Sequence, residues 1–321
     1  MFKLSKKINN LSQKKATFLA VGLVLAILLP FLAFSGESNK IYVDDDASGE
    51  QTGSSSHPYK TIGAAMKKAD DDTEIHIRKG TYKENVEIKK GVEIYGAGAD
   101  KVTIKAKEDG DAVVVMNNKT KINEVTIRGG KNGIWVEKKG GASIIDCVIK
   151  ENRKNGIEVE SGEVDKSRAV YIDGNTIKDN GKNGIYSGKR RLSITKNEIY
   201  ENDGDGIILE AGTSAWIGNN TIKDNDYSGM KLTIDGSKIW TKRNTIRYNG
   251  REGIEVNFYG GAGRIDINKS KTVINDRHGL ARVQRKPVAN STNLWGQYLT
   301  YGDSEFWGNK IKDITPILHI Y

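Results

Sequence analysis

The stretches IDGNTIKDN (172–180), ITKNEIYEN (194–202), IGNNTIKDN (217–225) and TKRNTIRYN (241–249) are copies of one phrase, and IDCVIKEN (145–152) is a shorter relative. Each phrase closes on an asparagine, at 152, 180, 202, 225 and 249, and the position recurs at Asn275. Each of these asparagines lies four residues ahead of a glycine. The glycines open a second signature: KNGIWV (131–136), KNGIEV (154–159), KNGIY (182–186), GDGIIL (204–209), YSGMKL (227–232), REGIEV (251–256) and RHGLAR (277–282). Successive glycines are 22 to 28 residues apart. A period of that length marks a stacked repeat.

Each unit holds three short alternating runs, such as Val170–Ile172, Thr176-Ile177 and Ile185-Tyr186. None reaches helix length, and Val and Ile favour strands. Three strands and three turns per period make one rung of a β-solenoid, stacked at ~4.8 Å per coil. A six-residue hexapeptide period is absent. Asn175, Asn197, Asn220 and Asn244 fall between the first and second of these runs, where a left-handed residue and a stacked amide ladder are expected. Cys147 and Ser270 take the same slot at the two ends of the array. The glycines suit a tight entry into the next strand.

This pattern resembles the right-handed parallel β-helix proteins of the pectate-lyase-like superfamily, most clearly over residues 132–283. Residues 41–131 resemble the opening of such proteins: IYVDDD (41–46), a Gly/Ser-rich loop with Pro58, the helix KTIGAAMKKAD (60–70), then RKGTYKENVEI (78–88) and GVEIYGAG (91–98). The helix carries Ile62, Ala65, Met66 and Ala69 at helical spacing, so it is expected to cap the open end. The expected organisation is an all-β domain over 41–283, of nine to eleven coils, followed by a C-terminal cap over 284–321. Trp295, Tyr298, Tyr301, Phe306, Trp307 and Tyr321 are read as packing residues of that cap.

Ahead of this domain, residues 1–15 carry five lysines and no acid, and residues 16–34 run without a charge. Nineteen apolar residues are long enough to span a bilayer. Residues 16–34 read as a signal-anchor or a cleaved signal peptide, with 35–40 as linker and the remainder exported. The first 40 residues hold six Lys and one Glu, which leaves +4 of the chain's +9 for the rest. That balance does not suggest nucleic-acid binding. One cysteine excludes an intrachain disulfide framework and a cysteine-based zinc site. The four histidines (57, 76, 278 and 319) are scattered, so no His-based metal site is expected either.

Alternation places Ile157 and Val159 inside and Glu158 and Glu160 outside. The same register gives an outer column of Trp135, Glu158, Tyr186, Ile208, Lys231, Glu255 and Ala281, and a second of Glu137, Glu160, Glu210, Thr233 and Asn257. The resemblance implies that this face and its loops form a polysaccharide groove, with Trp135, Glu158, Tyr186 and Glu255 binding substrate. Glu160 and Glu210, two coils or roughly 9–10 Å apart, are the candidate acid–base pair, at the loose end of an inverting separation. Lys231, with Arg251, is the candidate base of a lyase. Lyase, glycoside hydrolase and epimerase chemistry all remain open, because the paired-Asp and Gly-His-Gly signatures of polygalacturonase-like hydrolases and the Tyr-Gly-Phe-Asp-Pro-His type motif of alginate epimerases are missing. No metal site or cofactor is assigned, calcium being the ion the resemblance allows. The loop ESGEVDKSRA (160–169) is the longest beside this face and is expected to wall it. The other reading is a non-catalytic cell-surface scaffold or adhesin, with no protein partner indicated.

Overall fold

The computed structural model describes residues 39–107 and 110–320. The expected segments 1–15 and 16–34 and most of the linker lie outside the described residues. Among the described residues, no helix is long and apolar enough to cross a membrane.

The described chain winds into a solenoid of three parallel sheets. The first has eleven strands, from Asn39–Val43 to Leu299–Thr300. The second has ten, from Gly80–Lys83 to Glu305–Trp307, and the third ten, from Val86–Ile88 to Lys312–His319. Each coil contributes one strand to each sheet, as in Val170–Asp173, Thr176–Lys178 and Ile185–Ser187. Inward positions stack Ile, Val and Leu into one continuous core, and Ile144, Ile172, Ile194 and Ile217 are all fully buried in register. Each such side chain contributes about 1.5–3 kcal/mol of burial.

The start of the solenoid is closed by helix α1 (Ile62–Lys68), which buries Ile62, Ala65 and Met66. Thr61 caps it by accepting from Ala64 N at 3.1 Å. The Glu84 carboxylate accepts from Ile62 N and Gly63 N, each at 2.8 Å, where the helix end favours negative charge.

Two asparagine ladders hold the turns. In the first, Asn175, Asn197, Asn220 and Asn244 pass side-chain amide bonds along the stack at 2.9–3.0 Å. Cys147 N donates to Asn175 at one end and Asn244 N to the Ser270 hydroxyl at the other. The second runs from Asn152 to Asn309, with amide bonds of 2.9–3.0 Å at every step. The left-handed residue is not the ladder asparagine, as expected from sequence, but the one before it: Gly174, Lys196, Asn219 and Arg243 have φ of 71, 56, 57 and 57°. The turn is made one residue early, which leaves the asparagine side chain pointing inward to bond along the stack.

The signature glycines answer to crowding, since none has a positive φ. A Cβ on Gly156 would sit 2.8 Å from Gly184 O and 2.7 Å from Ile177 Cγ2. Residues 284–321 contain helix α2 (Ser291–Tyr298) and then one more strand in each sheet. Trp295 is buried edge-on to Phe258, 5.5 Å between ring centres, and Tyr298 meets the same ring.

Candidate functional site on the third sheet

The outer face of the third sheet carries the column read from sequence. Trp135, Glu158, Tyr186, Ile208, Lys231, Glu255 and Ala281 are neighbours in unbroken register. In the second column Gly188 stands between Glu160 and Glu210, so those two carboxylates are two coils apart. Glu160 accepts the Lys138 backbone N–H at 3.0 Å. Tyr186 has its hydroxyl pKa raised, first by burial and then by the charges of Glu210 and Glu158. Glu158 accepts from the Asn155 amide at 3.1 Å. The Trp135 indole nitrogen is buried without a partner.

Glu255 is not a solvated residue of the face. It is buried and takes Asn257 Nδ2 at 2.9 Å, Arg285 at 2.9 Å and Lys231 Nζ at 3.7 Å. Arg285 also donates to Asn257 Oδ1 at 2.6 Å. Lys231 is thereby brought to Glu255, while no direct contact joins it to Glu160 or Glu210 among the described residues.

A third ladder borders this face, at the position just before each signature glycine. It begins with amides: Asn183 donates to Asn155 Oδ1 at 3.0 Å, and Asn155 N donates to Asn132 Oδ1 at 3.1 Å. It then changes chemistry. Asp205 N donates to Asn183 at 2.9 Å, Ser228 N donates to Asp205 at 2.8 Å, and the Ser228 hydroxyl donates to Glu252 at 3.2 Å. Glu252 is also approached by Arg277 at 3.3 Å and His278 Nδ1 at 3.4 Å. All of Asp205, Ser228, Glu252 and His278 are buried. Burial pushes the Asp205 carboxyl above the usual carboxylate range, against the Ser228 N–H and the charges of Lys231 and Arg251, which pull it down. One carboxyl shifted upward by burial near two that are paired with cations is an arrangement that acid–base chemistry can use. Ser228, Glu252 and Arg285 were not singled out from sequence. The signal for the first two was present in the repeat, where Asn, Asn, Asn is followed by Asp, Ser, Glu, His at one fixed offset.

The loop 160–169 follows the third-sheet strand Ile157–Val159. With Lys138, Lys139 and Lys189, its residues Ser161, Gly162, Glu163 and Arg168 line a cavity of about 320 Å³. Beneath it, fully buried Arg190 donates to the carbonyls of Glu137, Glu160 and Arg168 at 2.9, 3.1 and 3.1 Å and to that of Gly140. That guanidinium ties three successive loops together. Among the described residues, Asp44, Asp45 and Asp46 form the one carboxylate group whose oxygens lie close enough to share a cation. They are already engaged, Asp44 by Arg78 at 3.0 Å and Asp45 by Thr81 N at 2.9 Å, and they lie at the other end of the solenoid.

Among solved structures, the chain is similar to XylC in complex with xylose, with a TM-score of 0.62, 13% identity, and 78% of this chain and 69% of that chain covered. It is similar to the A-module of the Azotobacter vinelandii mannuronan C-5 epimerase AlgE4, with a TM-score of 0.51, 15% identity and coverage of 85% and 97%. It is also similar to pectate lyase Pel9A, with a TM-score of 0.50, 13% identity and coverage of 85% and 80%. At these identities the likeness is one of fold. No curated protein matches the sequence. The family described as the right handed beta helix region matches residues 69–191 and 132–292, which together exceed half of the chain. The repeat, the three parallel sheets and this match agree, and the chain belongs to the right-handed β-helix family.

Proposed function

We propose that the outer face of the third sheet binds and processes polysaccharide, in a protein exported and held at the membrane by residues 16–34. The observation that carries this reading is the third ladder. Asparagine satisfies it in three coils, so a purely structural ladder has no need of Asp205, Glu252 and His278. Placing ionisable groups in buried positions costs stability unless they are fully paired, so a position that asparagine fills equally well calls for another reason to hold them.

In this reading Trp135 and Tyr186 stack against sugar rings, and Glu158 accepts from hydroxyls. Asp205, whose carboxyl burial shifts toward the protonated form, gives a proton, and Lys231 and Arg251 hold an anionic group of the substrate. Glu252 stands two coils from Asp205, roughly 9–10 Å. Glu160 and Glu210 form a second carboxylate pair with the same separation on the loop side. We favour Asp205 and Glu252 because they are the buried pair. Likeness of fold to proteins named for xylose, mannuronan and pectate supports a carbohydrate partner.

A second reading, a non-catalytic surface scaffold, draws on one observation. Glu252 and Glu255 are saturated by partners within the protein, which is also what a structural network requires. The test is a panel of neutral and acidic polysaccharides incubated with the full chain, read for binding, reducing ends and unsaturated products. Product formation abolished by Asp205→Asn supports the site. Turnover lost in Glu160→Gln and Glu210→Gln but kept in Asp205→Asn moves the chemistry to the loop side. Neither binding nor turnover on any polymer supports the scaffold.

A further inference from the structure

We propose that the outer face of the first sheet, away from the site described above, is a second binding surface, for an acidic polysaccharide. Tyr171, Ser193, Trp216, Trp240 and Asp266 are successive register neighbours there. The three aromatics are among the most exposed large side chains of the described residues, at 50%, 42% and 41%. At ~4.8 Å per coil, Tyr171 to Trp240 spans roughly 14 Å along the solenoid.

The two indoles have close neighbours on the sheet. Trp216 lies across Gly218: a Cβ there would come within 2.9 Å of the indole nitrogen. Glycine at this position lets the ring rest on the sheet with its other face to solvent. Trp240 is the register neighbour of Asp266, whose carboxylate Arg264 grips at 2.7 and 3.0 Å. Rings fixed before binding lose little entropy when a ligand stacks on them.

The edges of this strip are cationic. Arg191 and Lys238 lie on one side, Lys242 and Arg243 on the other. None of the four is in an ion pair among the described residues, whereas the acids of the strip are engaged, Asp173 by Lys196 and Asp266 by Arg264. The charge of the face is therefore complementary to a polyanion. A chain of sugar rings supplies flat apolar faces for Trp216 and Trp240, and its acid groups reach the flanking cations. A second copy of this chain would need a continuous apolar patch, and the strip is interrupted by Ser193 and bounded by charge.

The full chain is titrated with hyaluronan, dextran sulfate and neutral dextran, with tryptophan fluorescence and affinity electrophoresis as readouts. Binding to hyaluronan or dextran sulfate is expected, weakened by salt, with little binding to dextran. Trp216→Ala/Trp240→Ala is expected to weaken it roughly tenfold or more, and Lys238→Glu/Lys242→Glu to weaken it as well. Trp307→Ala, an exposed tryptophan at the end of the second sheet, is expected to leave it unchanged. Thermal melts confirm that the variants fold. Failure of both polyanions to bind overturns the proposal, as does wild-type binding by the double tryptophan variant. Tighter binding of oligo(dT) through the same tryptophans overturns it in favour of a nucleic acid.

Discussion

Asn202 donates its side-chain amide to Asn225 Oδ1, one coil along, at 2.9 Å. The same amide reaches the carbonyls of Tyr200 at 3.1 Å and Ile177 at 3.2 Å, and Asn202 Oδ1 accepts from Asn180 Nδ2 at 2.9 Å. One buried side chain therefore satisfies polar groups from three coils. Asparagine alone offers a donor pair and an acceptor at this reach without charge.

Asn202→Ala leaves the Asn180 backbone N–H without its acceptor and takes one partner each from the Asn180 side-chain amide and the Tyr200 and Ile177 carbonyls, at about 1–3 kcal/mol for each group left unsatisfied. We expect a loss of about 3 kcal/mol or more in urea unfolding followed by circular dichroism. Asn309→Ala removes the last rung, which is half-buried, and is expected to cost about 1 kcal/mol. Equal losses at the two positions would show that the ladder is not what stabilises the middle coils.

The glycines make a separate prediction. A Cβ on Gly206 would meet Ile222 Cγ2 at 2.5 Å and Gly229 O at 2.6 Å, neither of which can withdraw without moving the next coil. Gly206→Ala is expected to cost about 2–3 kcal/mol through overpacking. Gly236, with φ of 73° and no atom nearer than 3.4 Å, is limited by conformation instead, so Gly236→Ala is expected to cost about 1–2 kcal/mol. Urea midpoints of the two variants test the order.

The columns of the third sheet were legible because strand alternation and a glycine at a fixed offset leave one register. Trp135 through Ala281 therefore fell into place from sequence alone. Local pattern does not carry contacts between segments far apart in the chain. Glu255 is covered by Arg285, thirty positions on and beyond the last repeat, so its burial had no local signal. Arg190 stands in the basic stretch GKRR (188–191) with no local mark of burial, yet it is fully buried among carbonyls of earlier coils. The left-handed residue was misplaced by one because asparagine, the residue most tolerant of that conformation, is the one the ladder requires for its side chain.

Arg285 supplies a third prediction. It bonds Glu255 at 2.9 Å and Asn257 at 2.6 Å from the C-terminal segment. Arg285→Ala leaves Glu255 with Lys231 at 3.7 Å and Asn257. Since the pair is largely but not fully buried, we expect a loss of about 2–3 kcal/mol. Arg285→Ala combined with Glu255→Gln should recover part of it, because the charge left unpaired is gone. A double variant no more stable than Arg285→Ala would show that Arg285 acts by packing alone.

Asp205 carries the pH dependence. In the unfolded chain its carboxyl titrates near 3.9. In the native state burial raises it. Between those two values the folded protein holds a proton that the unfolded chain has released, so stability falls as pH rises through this window. Below both values each state is protonated, and above both each is ionised, so the effect of Asp205 is flat at either end. Asp205→Asn keeps an oxygen for the Ser228 N–H at 2.8 Å and removes the titration. At pH 7 the variant is expected to melt at a higher temperature than the wild type, and the gap should close as pH is lowered through the native pKa. Under the proposed function the same variant loses turnover, so a gain in stability with a loss of activity would mark Asp205 as a group kept for chemistry. A variant that melts lower at pH 7 would show instead that the Asp205 charge, through Lys231 and Arg251, holds the coils together.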